Sequence, residues 1–351
     1  MDASQLPNFD DLPPVPGMPQ GCAWGVFDKD GQKDVLGTLN LLTPEVVRAA
    51  YAEARDGVSI SLNWPLDAMP ALVPGRIATT HKQTTLREAG LSSATGWDDE
   101  LHFNTQSGSQ WDSLVHWAHQ PTGLFYNGVR APTRESLLSS STTTTTSGGG
   151  APTLEHWHAR GGLVARGVLV DFAAWAAEEA AEGTTTMISP HPLDGHRITV
   201  AQIEAVAARQ GVAFRPGDVL VLRTGLTDVM RAPPSPEALA RLAAGRVAGM
   251  HGCRESARWL WDRHFAAVAG DSWGFEALMP LKEDGSQGGP EDLYLHPWLL
   301  AMFGMPIGEL WDLSALSAHC KKTGRYSFLL TSAPLNIAGL VGSPPNALAL
   351  F

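Results

Sequence analysis

The 351-residue chain predicts an α/β fold. Three observations carry that expectation. Val/Leu runs bounded by Gly and Asp, within residues 162–171 and 218–225, have the continuous apolar character of buried strands. Segments with helical periodicity and helix-start signals alternate with them. No Gly-x-Gly-x-x-Gly or P-loop follows any strand, which argues against a nucleotide cofactor.

The elements follow in chain order. The start, up to about residue 20, is rich in Pro and Asp and predicts a surface arm, taken as residues 1–40 ahead of a single domain over 41–351. Thr43-Pro44-Glu45 supplies a capping hydroxyl, a Pro at the first helical position and an early acid, so a helix runs to about Ala54. Val58 to Trp64 alternates as a strand and stops at Pro65. His81 and Glu88 fall in a stretch without periodicity, expected to be loop with His81 at the surface. Leu137 to Gly150 contains a Ser/Thr/Gly run that cannot build a packed core and predicts a flexible loop. Gly162–Asp171 is a strand, 173–182 an Ala/Glu helix, and Thr199-Val-Ala-Gln202 a capping box opening another helix. Val219–Arg223 and Phe265–Gly270 are further strands around a helix from Arg254 to Arg263. Asp271 stands just past a strand's carboxyl end, where a structural cap is favoured over a site. Tyr294-Leu-His296 opens the last expected helix, which ends at Phe303-Gly304, and Arg325–Ser332 is the last clear strand.

The stretch from Asn104 to His119 carries the chemistry. As an extended segment it puts Gln110, Asp112 and His116 on one face with Leu114 among them, and Gln106 joins if the Gly108 turn keeps register. Trp111, Val115 and Trp117 fall on the other face. A solvated strand face explains such a row for an arbitrary protein. Against that reading, the two Trp imply depth, and Gly108 and Ser109 are small enough for close approach of backbone or ligand.

Composition removes other classes. A formal charge of −11 without a basic run speaks against nucleic-acid binding. Cys22, Cys253 and Cys320 are scattered and odd in number, which fits a reducing compartment rather than a disulfide framework. The start has no signal-peptide pattern and no apolar run is long enough to span a bilayer, so a soluble, cytoplasmic protein is expected.

The segment Gln106-Ser-Gly-Ser-Gln110-Trp-Asp112-Ser-Leu-Val-His116 resembles the signature of the cyclase family, which includes bacterial kynurenine formamidases and isatin hydrolases. The family pattern is H-x-G-T-H-x-D-x-P-x-H. Its first two His and its Asp bind a divalent metal, and its last His shuttles a proton. By position the ligands fall on Gln106, Gln110 and Asp112, and the shuttle on His116. Both ligand His are Gln here, Thr is Ser109 and Pro is Leu114, as in a longer branch with Gln at both places. The strand Arg166-Gly-Val-Leu-Val-Asp171 and the run Pro216-Gly-Asp-Val-Leu-Val-Leu-Arg-Thr-Gly225 extend the resemblance, as do His296 in the family's H-x-x-L-L segment and Glu309 in its E-x-L-x-L segment. The resemblance implies a swivelling β/β/α fold, a mixed sheet with flanking helices.

It also implies a chemistry. His116, Asp112 and Glu309 are the candidate catalytic groups. Gln106, Gln110, Asp112, His296 and Glu309 are the candidate metal ligands. Amide oxygens are neutral, weak ligands, so a divalent ion would be weakly held or absent, and Mn²⁺ or Mg²⁺ suits the oxygen-rich set better than Zn²⁺. Trp64, Trp111, Phe125, Tyr126 and His119 are candidate substrate contacts, with core packing equally open for the aromatics. The implied activity is hydrolysis of a non-peptide C–N bond, as in arylformamide cleavage on the route from tryptophan to kynurenine, or lactam or lactone opening. A metal-free cyclase or isomerase and a non-catalytic binding protein are the alternatives. The expected partners are a small-molecule substrate and further copies of the chain, as a homodimer or homotetramer.

Overall fold

The protein is described from a computed structural model, which covers residues 6–68, 76–91, 93–138, 150–183, 191–231, 234–282 and 284–351. Nine strands form its main sheet: β1 (Ser59–Ser61), β2 (Gln110–Asp112), β3 (Leu163–Asp171), β4 (Val219–Arg223), β5 (Ala267–Gly270), β6 (Ile307–Glu309), β7 (Ser327–Ser332), β8 (Gly342–Ser343) and β9 (Leu348–Leu350). Their order is β1-β9-β7-β3-β4-β5-β6-β2-β8. The middle four, β3 to β6, are mutually parallel, and antiparallel strands extend the sheet on both sides. This is the mixed sheet with flanking helices that the sequence implied.

Both faces of the parallel strands are covered, which is why they read as unbroken apolar runs. Val170, Leu220, Leu222 and Val268 point into one core with Phe9, Ile203, Leu260, Trp261 and Phe303. Leu169, Val221 and Ala269 point into the other with Trp111, Trp311, Leu316, Phe328 and Phe351. The helices Phe172–Glu182, Val200–Arg209 and Arg254–Asp262 lie where expected, the second opened by the Thr199/Gln202 capping box. Thr43 caps the helix Pro44–Ala50, which tightens to a 3₁₀ turn over Tyr51–Glu53. Asp271 accepts from the backbone N–H groups of Thr224 and Gly225 and from the Thr224 hydroxyl, so it is a structural cap.

Three expectations are corrected. The segment taken as an N-terminal arm sends Phe9, Leu12, Cys22, Ala23 and Phe27 into the first core, because its few apolar residues are the ones that meet Trp261 and Phe303. The loop around His81 is a hairpin of Thr80–Thr85 and Trp97–His102, almost wholly exposed and therefore without apolar alternation. The 137–150 loop lies mostly outside the described residues; Arg134–Leu138 before it is a short helix. Finally, Glu309 lies in a strand, and a further helix, Ser314–Thr323, follows the one expected to be last. Among the described residues no helix is long and apolar enough to cross a membrane.

The breaker-like Gly308 hides β6 in the sequence, yet the structure requires it. A Cβ there would stand 2.7 Å from the Ala269 Cβ and 3.0 Å from the Trp311 ring. Gly308→Ala should therefore lower stability by about 1–3 kcal/mol through overpacking, read from the urea midpoint. An unchanged midpoint would show that the Trp311 layer has slack.

Candidate functional site

The site is built on the antiparallel pair β2–β6. Their register sets Gln110 opposite Glu309, Trp111 opposite Gly308 and Asp112 opposite Ile307. Because side chains alternate, Gln110, Asp112 and Glu309 share one face, while Trp111 drops through to the other core. There Trp111 packs on Trp311 and Trp157, at ring-centroid distances of 5.0 and 5.3 Å. Its indole N–H donates to the Ser332 hydroxyl. Trp111 is thus a core residue, against the expectation that it touches substrate.

On the site face the polar groups converge. The Gln110 amide nitrogen donates to Glu309 Oε2 at 2.9 Å and to Gln106 Oε1 at 2.7 Å. The Gln106 amide nitrogen donates to Asp112 Oδ1 at 2.8 Å. Gly342 of β8 makes room for Gln106, since a Cβ there would lie 2.3 Å from that nitrogen. The Ser109 hydroxyl accepts from the Trp64 N–H and donates to the Leu310 carbonyl, at 2.7 and 2.6 Å, tying the start of β2 to the end of β6. Close approach therefore explains Ser109. It does not explain Gly108, whose missing Cβ faces nothing nearer than 3.9 Å.

His296 enters from the start of a π-helical turn, Pro297–Phe303. Its Nε2 lies 3.3 Å from Glu309 Oε1 and its Nδ1 lies 2.8 Å from Glu276 Oε1. Glu276 is fully buried, and it also accepts from the backbone N–H groups of Tyr294, Leu295 and His296. Burial works against charge on His296, but the hydrogen bonds and charges of Glu276 and Glu309 outweigh it and push the pKa up to about 10. Burial drives the Asp112 pKa well above the usual carboxylate range; the Glu309 charge adds to this, while His296 and the Gln106 amide oppose it.

Strand geometry ends at Asp112. Ser113 to His116 is a turn, closed by His116 N–H to Ser113 O at 3.0 Å. His116 reaches the site from that turn, its ring 6.4 Å from that of His296, while Leu114 packs into the core. Burial, reinforced by the positive charge on His296, lowers the His116 pKa to about 4, so it is neutral near pH 7. These groups open onto a cleft of about 510 Å³ whose lining includes Gln106, His116, His296 and Glu309. Its walls are apolar, with Trp117, Leu242, Trp273, Leu278 and Met279.

Several expected contacts lie elsewhere. Trp64 packs against Leu226, Met230 and Leu310 in a small separate core. The Tyr126 hydroxyl donates to Asp34 beneath the surface, and its ring blocks the space beside Gly304. Phe125 sits in a two-residue strand outside the cleft, and His119 pairs with the Thr122 hydroxyl in the turn before it. The aromatic walls are instead Trp117 and Trp273. Trp117 was assigned to the far face by carrying the two-residue period past the point where the strand ends.

The donor set suits an oxygen-preferring divalent cation. Asp112, His296 and Glu309 each offer a ligand atom, all within 4.8 Å of one another. Asp112 Oδ2 and Gln110 Oε1 are buried without a hydrogen-bond partner. Glu276 on Nδ1 leaves Nε2 of His296 facing the cluster, the usual arrangement behind a metal-bound imidazole. Gln106 and Gln110 stand within the same network.

Residues 59–277 match the family model described as "Putative cyclase". The chain belongs to the cyclase family. Its fold is similar to the crystal structure of a novel cyclase, with 29% identity and a TM-score of 0.73 over 94% of this chain and 99% of that one. It is also similar to an isatin hydrolase bound to the product analogue thioisatinate, with 15% identity and a TM-score of 0.53 over 88% and 99% of the two chains. The figures for isatin hydrolase A from Labrenzia aggregata bound to benzyl benzoate are 16%, 0.51, 89% and 98%. No curated protein matches this cyclase-family chain.

Two measurements test the cluster. In metal-free protein the raised His296 pKa means that the folded state holds a proton the unfolded chain releases. This stability is full below about 6.5, the ordinary imidazole value, and is lost as pH rises through about 10. Urea denaturation across that window should show the loss, and Glu276→Gln should begin it at lower pH; identical profiles would remove Glu276 from the control of His296. Separately, Gln106→His with Gln110→His should tighten Mn²⁺ or Zn²⁺ binding by at least about tenfold in calorimetry, because imidazole replaces neutral amide. Wild type holding zinc as tightly as the double variant would place the amides outside any metal site.

Proposed function

We infer that the protein is a hydrolase that opens a non-peptide C–N bond in an amide or lactam, or the matching bond of a lactone. The observation that supports this most is the placement of Glu309, His296 and neutral His116 in one apolar cleft, with the buried Asp112 carboxylate beside them. A carbonyl held there faces buried carboxylates able to take a proton from water, and an imidazole able to pass it on.

What a divalent cation held by Asp112, His296 and Glu309 would supply is positive charge against the carbonyl oxygen as it becomes an oxyanion. The side chains do the rest. Glu309 and Asp112 orient a water and draw off its proton. The water oxygen bonds to the carbonyl carbon and the C–N bond breaks. His116, neutral at the outset, takes that proton from the carboxylates at a ring nitrogen and delivers it to the leaving nitrogen. The products are a carboxylate and an amine, joined in one molecule when the substrate is a ring. The apolar walls exclude bulk water, which strengthens every electrostatic contact inside.

A second reading has its own support. Both amide nitrogens point at the carboxylates, and a protonated His296 between two glutamates already supplies a cation. A metal-free cyclase or isomerase, with His116 as base, would use the same cleft.

A screen of N-formyl anilides, lactams and lactones, with and without Mn²⁺, separates these readings. Turnover that needs added metal and releases carboxylate supports the first. On the substrate found, His116→Asn should lower kcat by about 10²–10⁴-fold with little change in KM. The wild-type kcat/KM should fall on an acid limb near the His116 value of about 4. A raised KM at unchanged kcat would make His116 a binding residue.

A further inference from the structure

We propose that the cleft selects a flat, apolar substrate bearing a carboxylate, and that Arg76 is the group that pairs with it. This deepens the hydrolase reading by naming a substrate class for the same cleft. Arg76 is the only Lys or Arg among the described residues lining the cleft. It is half-buried, and none of the ion pairs among the described residues includes it. Its one hydrogen bond among them runs from Nη1 to the Gln106 carbonyl oxygen at 2.5 Å. The neighbouring segment 69–75 reads Met-Pro-Ala-Leu-Val-Pro-Gly and offers no acid.

A guanidinium beside an apolar cleft that no direct ion pair neutralises is costly to desolvate, and an anion arriving with the ligand relieves that cost. Its planar fork suits a carboxylate, and the Gln106 carbonyl occupies only one of its five donors. Arg76 holds the Gln106 carbonyl, and the Gln106 amide nitrogen reaches Asp112, so Arg76 stands one residue away from the reacting groups. Position also limits where the carboxylate can lie. Asp112, Glu276 and Glu309 surround His296 and would repel an anion there, so the carboxylate must sit on the Arg76 side. Trp117 and Trp273 line the same cleft, and the Trp117 indole N–H is buried without a partner, leaving a second donor for an acceptor on the ligand.

Calorimetry with two isosteric probes tests this without turnover, so the outcome is independent of whether the chain is a hydrolase. The probes are naphthoate and naphthamide near neutral pH, titrated into chelator-treated protein. Wild type should bind naphthoate at least about tenfold more tightly than naphthamide, the margin expected of one charge-assisted pair. Arg76→Gln should abolish that preference and leave naphthamide binding unchanged, and Arg76→Lys should keep part of it. Equal affinity of wild type for the two probes, or no binding of either, would overturn the proposal. So would an equal loss of both probes in Arg76→Gln, which would mean that Arg76 acts only by holding the Gln106 loop. A preference for naphthoate that survives in Arg76→Gln would place the anion elsewhere.

Discussion

Three carboxylates, those of Asp112, Glu276 and Glu309, lie buried around one imidazole, and the rest of the site depends on how that charge is balanced. Each would be prohibitive to bury alone. The fold meets the cost in three ways. Backbone N–H groups at the start of the π-helical turn satisfy Glu276, amide nitrogens reach Asp112 and Glu309, and His296 takes a proton between two of the acids. A cation and a proton compete for the same oxygens, so the cluster would release protons on taking up metal. The same oxygens would set both the site's electrostatics and any preference for a cation.

The scaffold and the chemistry share a single short strand. On β2, Gln110 and Asp112 lie on the sheet face that carries Glu309, and Trp111 faces the second core. A slip of one residue would exchange them, burying two polar groups in a Trp layer and presenting an indole to the carboxylates. The hydrogen bonds of Ser109 to Trp64 and Leu310, and the missing side chain at Gly308, are what prevent that slip.

The sequence made legible whatever repeats. The apolar runs of β3 and β4 and the Thr199 capping box are local patterns with one physical reading, and they lie where they were expected. Gln106, Gln110, Asp112, His116, His296 and Glu309 were also named from sequence, and the structure brings all six together. Other residues left no periodic trace. Glu276 sits in irregular chain between a strand and a loop, and its partners are backbone groups some twenty residues on. Arg76 precedes an exposed hairpin whose faces carry no apolar alternation. An aromatic residue carries no mark of its side: Trp111 and Trp117 look alike in sequence, yet one fills the core and the other lines the cleft.

The Trp111 layer has an optical consequence. Indole rings with centroids 5.0 Å apart at 84°, as in Trp111 and Trp311, couple their electronic transitions strongly and give the pair a circular-dichroism signature that isolated tryptophans lack. One member is covalently adjacent to Asp112 and the other follows Glu309 by two residues in the chain. Any change at the carboxylates that alters the pairing of β2 with β6 would change the angle between the rings. The core thus carries a built-in spectroscopic reporter of the site on the opposite face of the sheet.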